Sequence, residues 1–191
     1  MNITKLNPEN VIVCESQFAN TGYSKPLNYF HLALTRQISG ELEFFVAMDD
    51  NNYLGHTRII WNSKYKNFSD HGVPEISDLN VVPKYRNQGI GSALIKVCEM
   101  EAKNKGKNSI GIGVGLYPDY NNAQRLYSKL GYLLDGNGVH YNYNPVMYGE
   151  TPKFDDNLNL FFIKRIAIQG DAPELANIAT PSSQQSIPMA R

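Results

Sequence analysis

A strand, a sharp turn and the opening of a helix follow one another between Glu75 and Ile95, in the run EISDLNVVPKYRNQGIGSALI. Ile76, Leu79, Val81 and Val82 form a β-rich apolar run that Pro83 ends, because proline has no N–H to give a continuing ladder. From Ile90 the apolar residues fall at Ile90, Ala93, Leu94, Val97 and Cys98, the spacing of one helix face. Gly89 and Gly91 flank that first helical turn. The first N–H groups of a helix lack internal partners, and the aligned peptide dipoles place partial positive charge there. Glycines let a large anion approach those groups, so the junction suits a pyrophosphate, with Arg86 as a permanent cation at its rim. The plainer alternative is a tight turn that needs small residues. Two better-known phosphate loops are excluded: a dinucleotide fingerprint wants glycine where Leu94 stands, and a P-loop wants Gly-Lys-Ser/Thr, which does not follow Gly91.

The pattern that fits is R-x-x-G-x-G, Arg86 to Gly91, which resembles the acetyl-CoA pyrophosphate loop of the GCN5-related N-acetyltransferase (GNAT) superfamily. Downstream, NNAQRLYSKLGY from Asn121 to Tyr132 is similar to the superfamily's second signature: an asparagine, a helix with Leu-Tyr, then Gly-aromatic. The two occur in the family's order, and the resemblance runs roughly from Val11 to Arg165. It implies a mixed α/β fold: a central, mostly antiparallel sheet with one splayed parallel strand pair, flanked by helices. It also implies acetyl-CoA as co-substrate, without a metal, and the pantetheine arm lying in the gap between the splayed strands.

Length and composition agree with one ordinary domain, expected over 1–165, followed by a polar, Pro/Ser-rich tail over 166–191 that reads as flexible. Eighteen basic and eighteen acidic residues balance, which gives no global field for nucleic acid or an anionic membrane. MNITKLNPEN has no apolar leader core and no run reaches membrane length, so a cytoplasmic protein is expected. Cys14 and Cys98 are too few for a disulfide framework and lack metal-ligand spacing.

Along the chain, NVIVCESQ (Asn10 to Gln17) reads as a first strand, with Cys14 in strand packing. Leu27, Phe30, Leu34 and Ile38 then mark a helix that Gly40 ends. Leu42 to Met48 and Tyr53 to Trp61 read as a hairpin, and NSKYKNFSDHGVP as a polar loop. After the helix from Ile90, with Cys98 facing the core, Ser109 to Leu116 is a strand despite its three glycines. Those mark either a ligand's close approach or a bulged, crowded sheet. Strand, helix and strand give a parallel pair with a right-handed crossover. Pro118 and Asp119 start a helix with Ala123, Leu126, Tyr127 and Leu130 on one face, stopped by Gly131. Asp135 to Glu150 reads as a loop and Leu158 to Ile166 as the last strand.

Acetyl transfer to an amine requires a base for the amine, donors for the oxyanion and a proton for the leaving thiolate. Tyr127 occupies the family's Leu-Tyr position, which the resemblance places near the coenzyme sulfur; the alternative is a core tyrosine. For the base, Glu75 stands fourteen residues before Gly89, the interval at which histone-type members carry a glutamate. Asp78 is its rival, since in a regular strand the two point to opposite faces unless a bulge intervenes. The glutamate that some ribosomal-protein acetyltransferases place on the second parallel strand has no counterpart between Gly113 and Leu116, which leaves a water-relayed base open. The resemblance carries coenzyme contacts onto Leu79, Asn80 and Val81, onto the loop residues Arg86, Asn87, Gln88, Gly89, Ile90, Gly91 and Ser92, and onto Asn121, with Asn122 a near-equal alternative. His71, His140, Tyr141, Tyr143, Tyr148, Asp70 and Asp119 sit where an acceptor would pass, though surface or packing roles are the ordinary reading of each. The neutral surface and aromatic loop favour a small-molecule amine over a protein amine. A non-catalytic acetyl-CoA sensor, a different acyl group and a protein-amine acceptor are the alternatives, and the superfamily's frequent dimers make a homodimer compatible.

Overall fold

The computed structural model describes residues 1–23 and 25–166. Its elements are β1 (Asn2–Lys5), α1 (Val11–Phe18), α2 (Tyr29–Ile38), β2 (Leu42–Asp49), β3 (Asn52–Ile60), α3 (Lys66–Asp70), β4 (Glu75–Val81), α4 (Ile90–Asn104), β5 (Ser109–Gly115), α5 (Asn121–Lys129), β6 (Leu133–Leu134), β7 (His140–Tyr141), β8 (Asn144–Pro145) and β9 (Leu158–Arg165). The strands form one sheet in the order β1-β2-β3-β4-β5-β9-β7-β8, with β6 also on β9. Among the described residues β4 and β5 are the one parallel pair, as the strand–helix–strand order requires; the other pairings are antiparallel. The mixed fold with a splayed pair is therefore present.

Alternation along β2 sends Phe44 and Val46 to one face and Phe45 and Ala47 to the other. The first face is covered by α1 and α2, through Val11, Cys14, Phe18, Phe30 and Ala33. The second is covered by α4 and α5, through Ile90, Leu94, Ile95, Cys98 and Tyr127. Each fully buried Leu or Ile contributes about 1.5–3 kcal/mol. That packing fixes the α4 N-terminus against the end of β4.

Several expectations change. Asn10 to Gln17 is not a strand but most of α1, whose buried residues Val11, Cys14 and Phe18 are three and four apart, a helix face, and β1 lies earlier. The polar sequence from Asn62 to Pro74 is not a plain loop; it holds α3, whose Phe68 packs with Tyr65, Val73 and Phe161. In α2 the inner face is Phe30 and Ala33, whereas Leu27 and Ile38 are exposed. The stretch after Asp135 contains the β7–β8 hairpin. Ile166 is buried and its N–H donates to Asn108 O at 2.8 Å, so it belongs to the domain rather than to a tail. The rest of the expected tail, 167–191, lies outside the described residues.

The glycines of β5 are resolved by packing. Ile110, Ile112 and Val114 face α4, so Gly111, Gly113 and Gly115 share the opposite face. A Cβ at Gly111 would meet the Phe68 ring at 2.1 Å, and one at Gly115 the Tyr120 ring at 2.4 Å. A crowded sheet, not ligand approach, accounts for those two. Gly111→Ala is expected to destabilise the fold by about 1–3 kcal/mol. The measurement is the denaturant midpoint at unchanged m-value; an unshifted midpoint would contradict this account.

Candidate active site

The parallel register joins only Glu75 to Gly111 and Ile76 to Ile112, after which β4 and β5 diverge. The gap opens into a cavity of about 1360 Å³ lined by β4, the loop before α4, the start of α5, the β7–β8 turn and the entry to β9. At its helical wall Gly89 takes φ +82° and caps α4. Ala93 N–H closes onto Gly89 O at 3.0 Å. The N–H groups of Asn87 to Ser92 bond to no other described residue, and no side chain caps the helix. A cradle of open amides at a 15-residue helix is what a polyanionic coenzyme needs, so these residues fit one. Arg86 is folded back: Nε donates to Val81 O at 3.3 Å and the guanidinium to the Tyr23 hydroxyl. Leu79, Asn80, Val81, Arg86, Asn87, Gly89, Ile90, Gly91, Ser92 and Asn122 all line the cavity. Gln88 does not; its amide donates to Lys84 O at 3.4 Å. Asn121 opens α5 outside the lining, which favours Asn122 of the two.

Glu75 and Asp78 both line this cavity, because a bulge does intervene. His56 pairs with Asn80 and Arg58 with Ser77, so β4 has one residue more than β3 between them. Asp78 takes φ +58°, a left-handed geometry that Asp tolerates better than most residues. Beyond the bulge, Gly55 opposite Val81 lets the strands close, since a Cβ there would lie 2.4 Å from Asn80 O.

The two carboxylates have different surroundings. Glu75 is 4% exposed, and Ser63 Oγ donates to its Oε2 at 2.5 Å. Burial pushes its pKa up, against the pull of the Ser63 bond, the Arg58 charge and the Tyr143 hydroxyl. Asp78 receives Lys25 Nζ at 2.6 Å, Asn80 Nδ2 at 2.6 Å and the Tyr29 hydroxyl, and His56 Nε2 lies at 3.5 Å. Burial disfavours its charge too, but the hydrogen bond from His56 and the charge of Lys25 outweigh that and hold the carboxyl well below the usual range. His56 is wholly buried, which keeps its imidazole below its ordinary pKa; its Nδ1 meets the Tyr53 hydroxyl and its ring stacks on Phe44 at 5.1 Å. A neutral His56 is therefore the state consistent with its burial.

Tyr127 is 4% exposed, lines the cavity, and its hydroxyl bonds to no described residue. Burial raises its pKa, so the phenol keeps its proton. Of the loop aromatics Tyr143 reaches the cavity, stacked on Phe161 at 5.9 Å; Tyr141 donates to Asp155 at 3.3 Å and Tyr148 is fully exposed. His140 is buried against Tyr65 and His71 exposed beside Asn67, both outside the cavity lining, while Asp70 pairs with Lys66. Lys25, Tyr29, His56 and Ser63 are not legible as site residues in the sequence: each reaches β4 from twelve to fifty-three positions away. Among the described residues no group of three or more His, Cys, Asp or Glu is placed to hold a metal, and no helix is long and apolar enough to cross a membrane.

The family model described as the acetyltransferase (GNAT) family matches residues 13–132. The chain belongs to that family, whose members are N-acetyltransferases using acetyl-CoA. Solved structures share the fold. An N-acetyltransferase from Staphylococcus aureus Mu50 has 20% identity and a TM-score of 0.63, over 87% of this chain and 98% of that one. An aminoglycoside 6'-N-acetyltransferase complexed with coenzyme A has 19% identity and a TM-score of 0.63, over 90% and 100%. The ribosomal-protein-S18-alanine N-acetyltransferase from Escherichia coli has 16% identity and a TM-score of 0.61, over 93% and 99%. No curated protein matches the chain in sequence.

Proposed function

We propose that this enzyme moves an acetyl group directly from acetyl-CoA to a primary amine of a small molecule, with Glu75 as base and Tyr127 as proton donor. The observation that carries the reading is that Glu75, Tyr127 and the open amides before α4 line one cavity. The coenzyme supplies the acetyl group as an activated thioester. The amides of Asn87 to Ser92 hold its phosphates, and the divergence of β4 from β5 leaves backbone of Leu79 to Val81 for its carbonyl. A Glu75 carboxyl with a raised pKa is matched to taking a proton from an ammonium near neutral pH. Tyr127, held protonated by burial, gives one to the departing sulfur. Asp78 is occupied by Lys25, Tyr29 and Asn80, which disqualifies it as a base. Direct transfer is favoured because both thiols are buried, and burial pushes Cys14 up to about 12 and Cys98 also upward. An aminoglycoside enzyme among the structural neighbours supports a small acceptor, although one acting on a ribosomal protein is a neighbour too.

The test is thiol release from acetyl-CoA with a panel of primary amines. Tyr127→Phe is expected to lower kcat roughly a hundredfold, with acetyl-CoA affinity retained. Unchanged kcat would remove Tyr127 from the reaction. Absence of amine-dependent release despite acetyl-CoA binding would overturn the transferase reading.

A further inference from the structure

Charged side chains of both signs line the cavity. Arg86, Arg125 and Lys129 lie in the approach to α4 and on α5. Asp119 lies two residues before α5 and Asp156 two residues before β9. Among the described residues neither aspartate makes an ion pair; the nearby Lys153 takes Asp155 instead, at 3.0 Å.

Asp156 sits in an aromatic frame. Its Oδ1 accepts both the Tyr117 hydroxyl and the Tyr120 hydroxyl, the latter at 3.0 Å. The two rings meet edge to face at 4.9 Å, and Phe154 stands 6.4 Å from Tyr117 with two-thirds of its surface exposed. Oδ2 receives no bond from the described residues. A carboxylate with one open oxygen attracts an ammonium through charge, and the neighbouring rings of Tyr117, Tyr120 and Phe154 add quadrupole attraction to a cation over them. The same frame repels an anion.

Its placement sets a length. Glu75 is level with Gly111, while Tyr120 packs over Gly115 on the same face of β5. Four residues of strand separate them, roughly 13 Å. Between the two ends the cavity passes Gly113, Phe161 and Asn159, a slot without a charged side chain of its own.

We propose that the Tyr117–Tyr120–Phe154–Asp156 frame holds a second cationic nitrogen of the acceptor. The preferred acceptors are then linear diamines or polyamines: one nitrogen reaches Glu75 and the distal ammonium rests at Asp156. This inference rests on the transferase reading above and adds the acceptor class.

The test compares kcat/KM for linear α,ω-diamines of increasing length with monoamines of matching length, in the wild type, Asp156→Asn and Phe154→Ala. Both positions are exposed, so neither substitution threatens the fold. Long diamines are expected to exceed their monoamine counterparts about tenfold or more, and both variants to bring that ratio towards one. Equal turnover of monoamines and diamines by the wild type would overturn the inference while leaving the transferase reading intact. A diamine preference that both variants retain would overturn it as well. If no amine releases thiol although calorimetry shows acetyl-CoA binding, the transferase reading falls and takes the inference with it.

Discussion

Glu75→Gln is expected to lower kcat roughly a thousandfold and to make the protein more stable at neutral pH. Both effects have one origin. The carboxyl is buried, and burial raises its pKa despite the Ser63 bond, the Arg58 charge and Tyr143. Below an unfolded-state pKa of about 4.3 the group is protonated in both states. Above it the unfolded chain releases the proton and the folded chain keeps it, so stability falls as pH rises towards the folded pKa, then levels. Glutamine never ionises, so the variant escapes that loss while remaining unable to accept a proton. The wild-type rate should rise with pH through the raised pKa of Glu75, which puts its acid limb above the ordinary glutamate range. Rate profiles and denaturant midpoints, each across mildly acidic to neutral pH, test the two halves separately. Undiminished kcat in Glu75→Gln would remove it as the base. A stability difference from wild type that does not grow with pH would refute the buried-charge account.

What the sequence discloses about the site follows from how local each part is. The candidate coenzyme cradle is contiguous: Arg86 to Ser92 is one turn, and its meaning depends on the strand before it and the helix after it. Tyr127 is readable only through the resemblance, from its place in the signature NNAQRLYSKLGY, because its helical period with Leu126 and Ala123 by itself reads as core. The network around Asp78 is not local. Lys25 lies 53 residues away and Tyr29 49, and neither has a neighbourhood in sequence that distinguishes it from a surface residue. The bulge that turns Asp78 into the cleft also leaves no mark, since aspartate is common in ordinary turns and edges.

The departures in the fold have physical causes as well. VIVCESQ is β-branched at its start, and propensity points to a strand, yet Val11, Cys14 and Phe18 carry the helical period that packing uses. Between Asn62 and Pro74 polar residues outnumber apolar ones, which hides the i, i+3 pair Tyr65 and Phe68. The β5 glycines hold a more specific signal than a weakened strand. Glycine at every second position bares one face of a strand; the rings of Phe68 and Tyr120 occupy it at Gly111 and Gly115, while Gly113 and Phe161 between them line the cavity.

Asp78→Asn separates the two roles a carboxylate can have in this cleft. Asparagine is nearly the same size and tolerates the +58° φ, so the backbone at the bulge should survive. What disappears is the negative charge opposite Lys25, together with the acceptors for Tyr29 and Asn80. Asp78 is 9% exposed and Lys25 26%, so the ammonium left behind is poorly hydrated. Removing one partner of a buried pair costs about 3–5 kcal/mol, and Lys25's partial exposure places this case near about 3 kcal/mol. A fall in denaturant midpoint of that size is expected, with much of it recovered in the double variant Lys25→Met, Asp78→Asn, where no charge is stranded. Since α2 carries Tyr29 and the segment before it carries Lys25, the pair ties the cleft's outer wall to β4, and its loss should raise KM more than it lowers kcat. The opposite result has a definite meaning. A variant of unchanged stability whose kcat collapses would make Asp78 the base, and Glu75 would then be a buried carboxyl that only supports the strand.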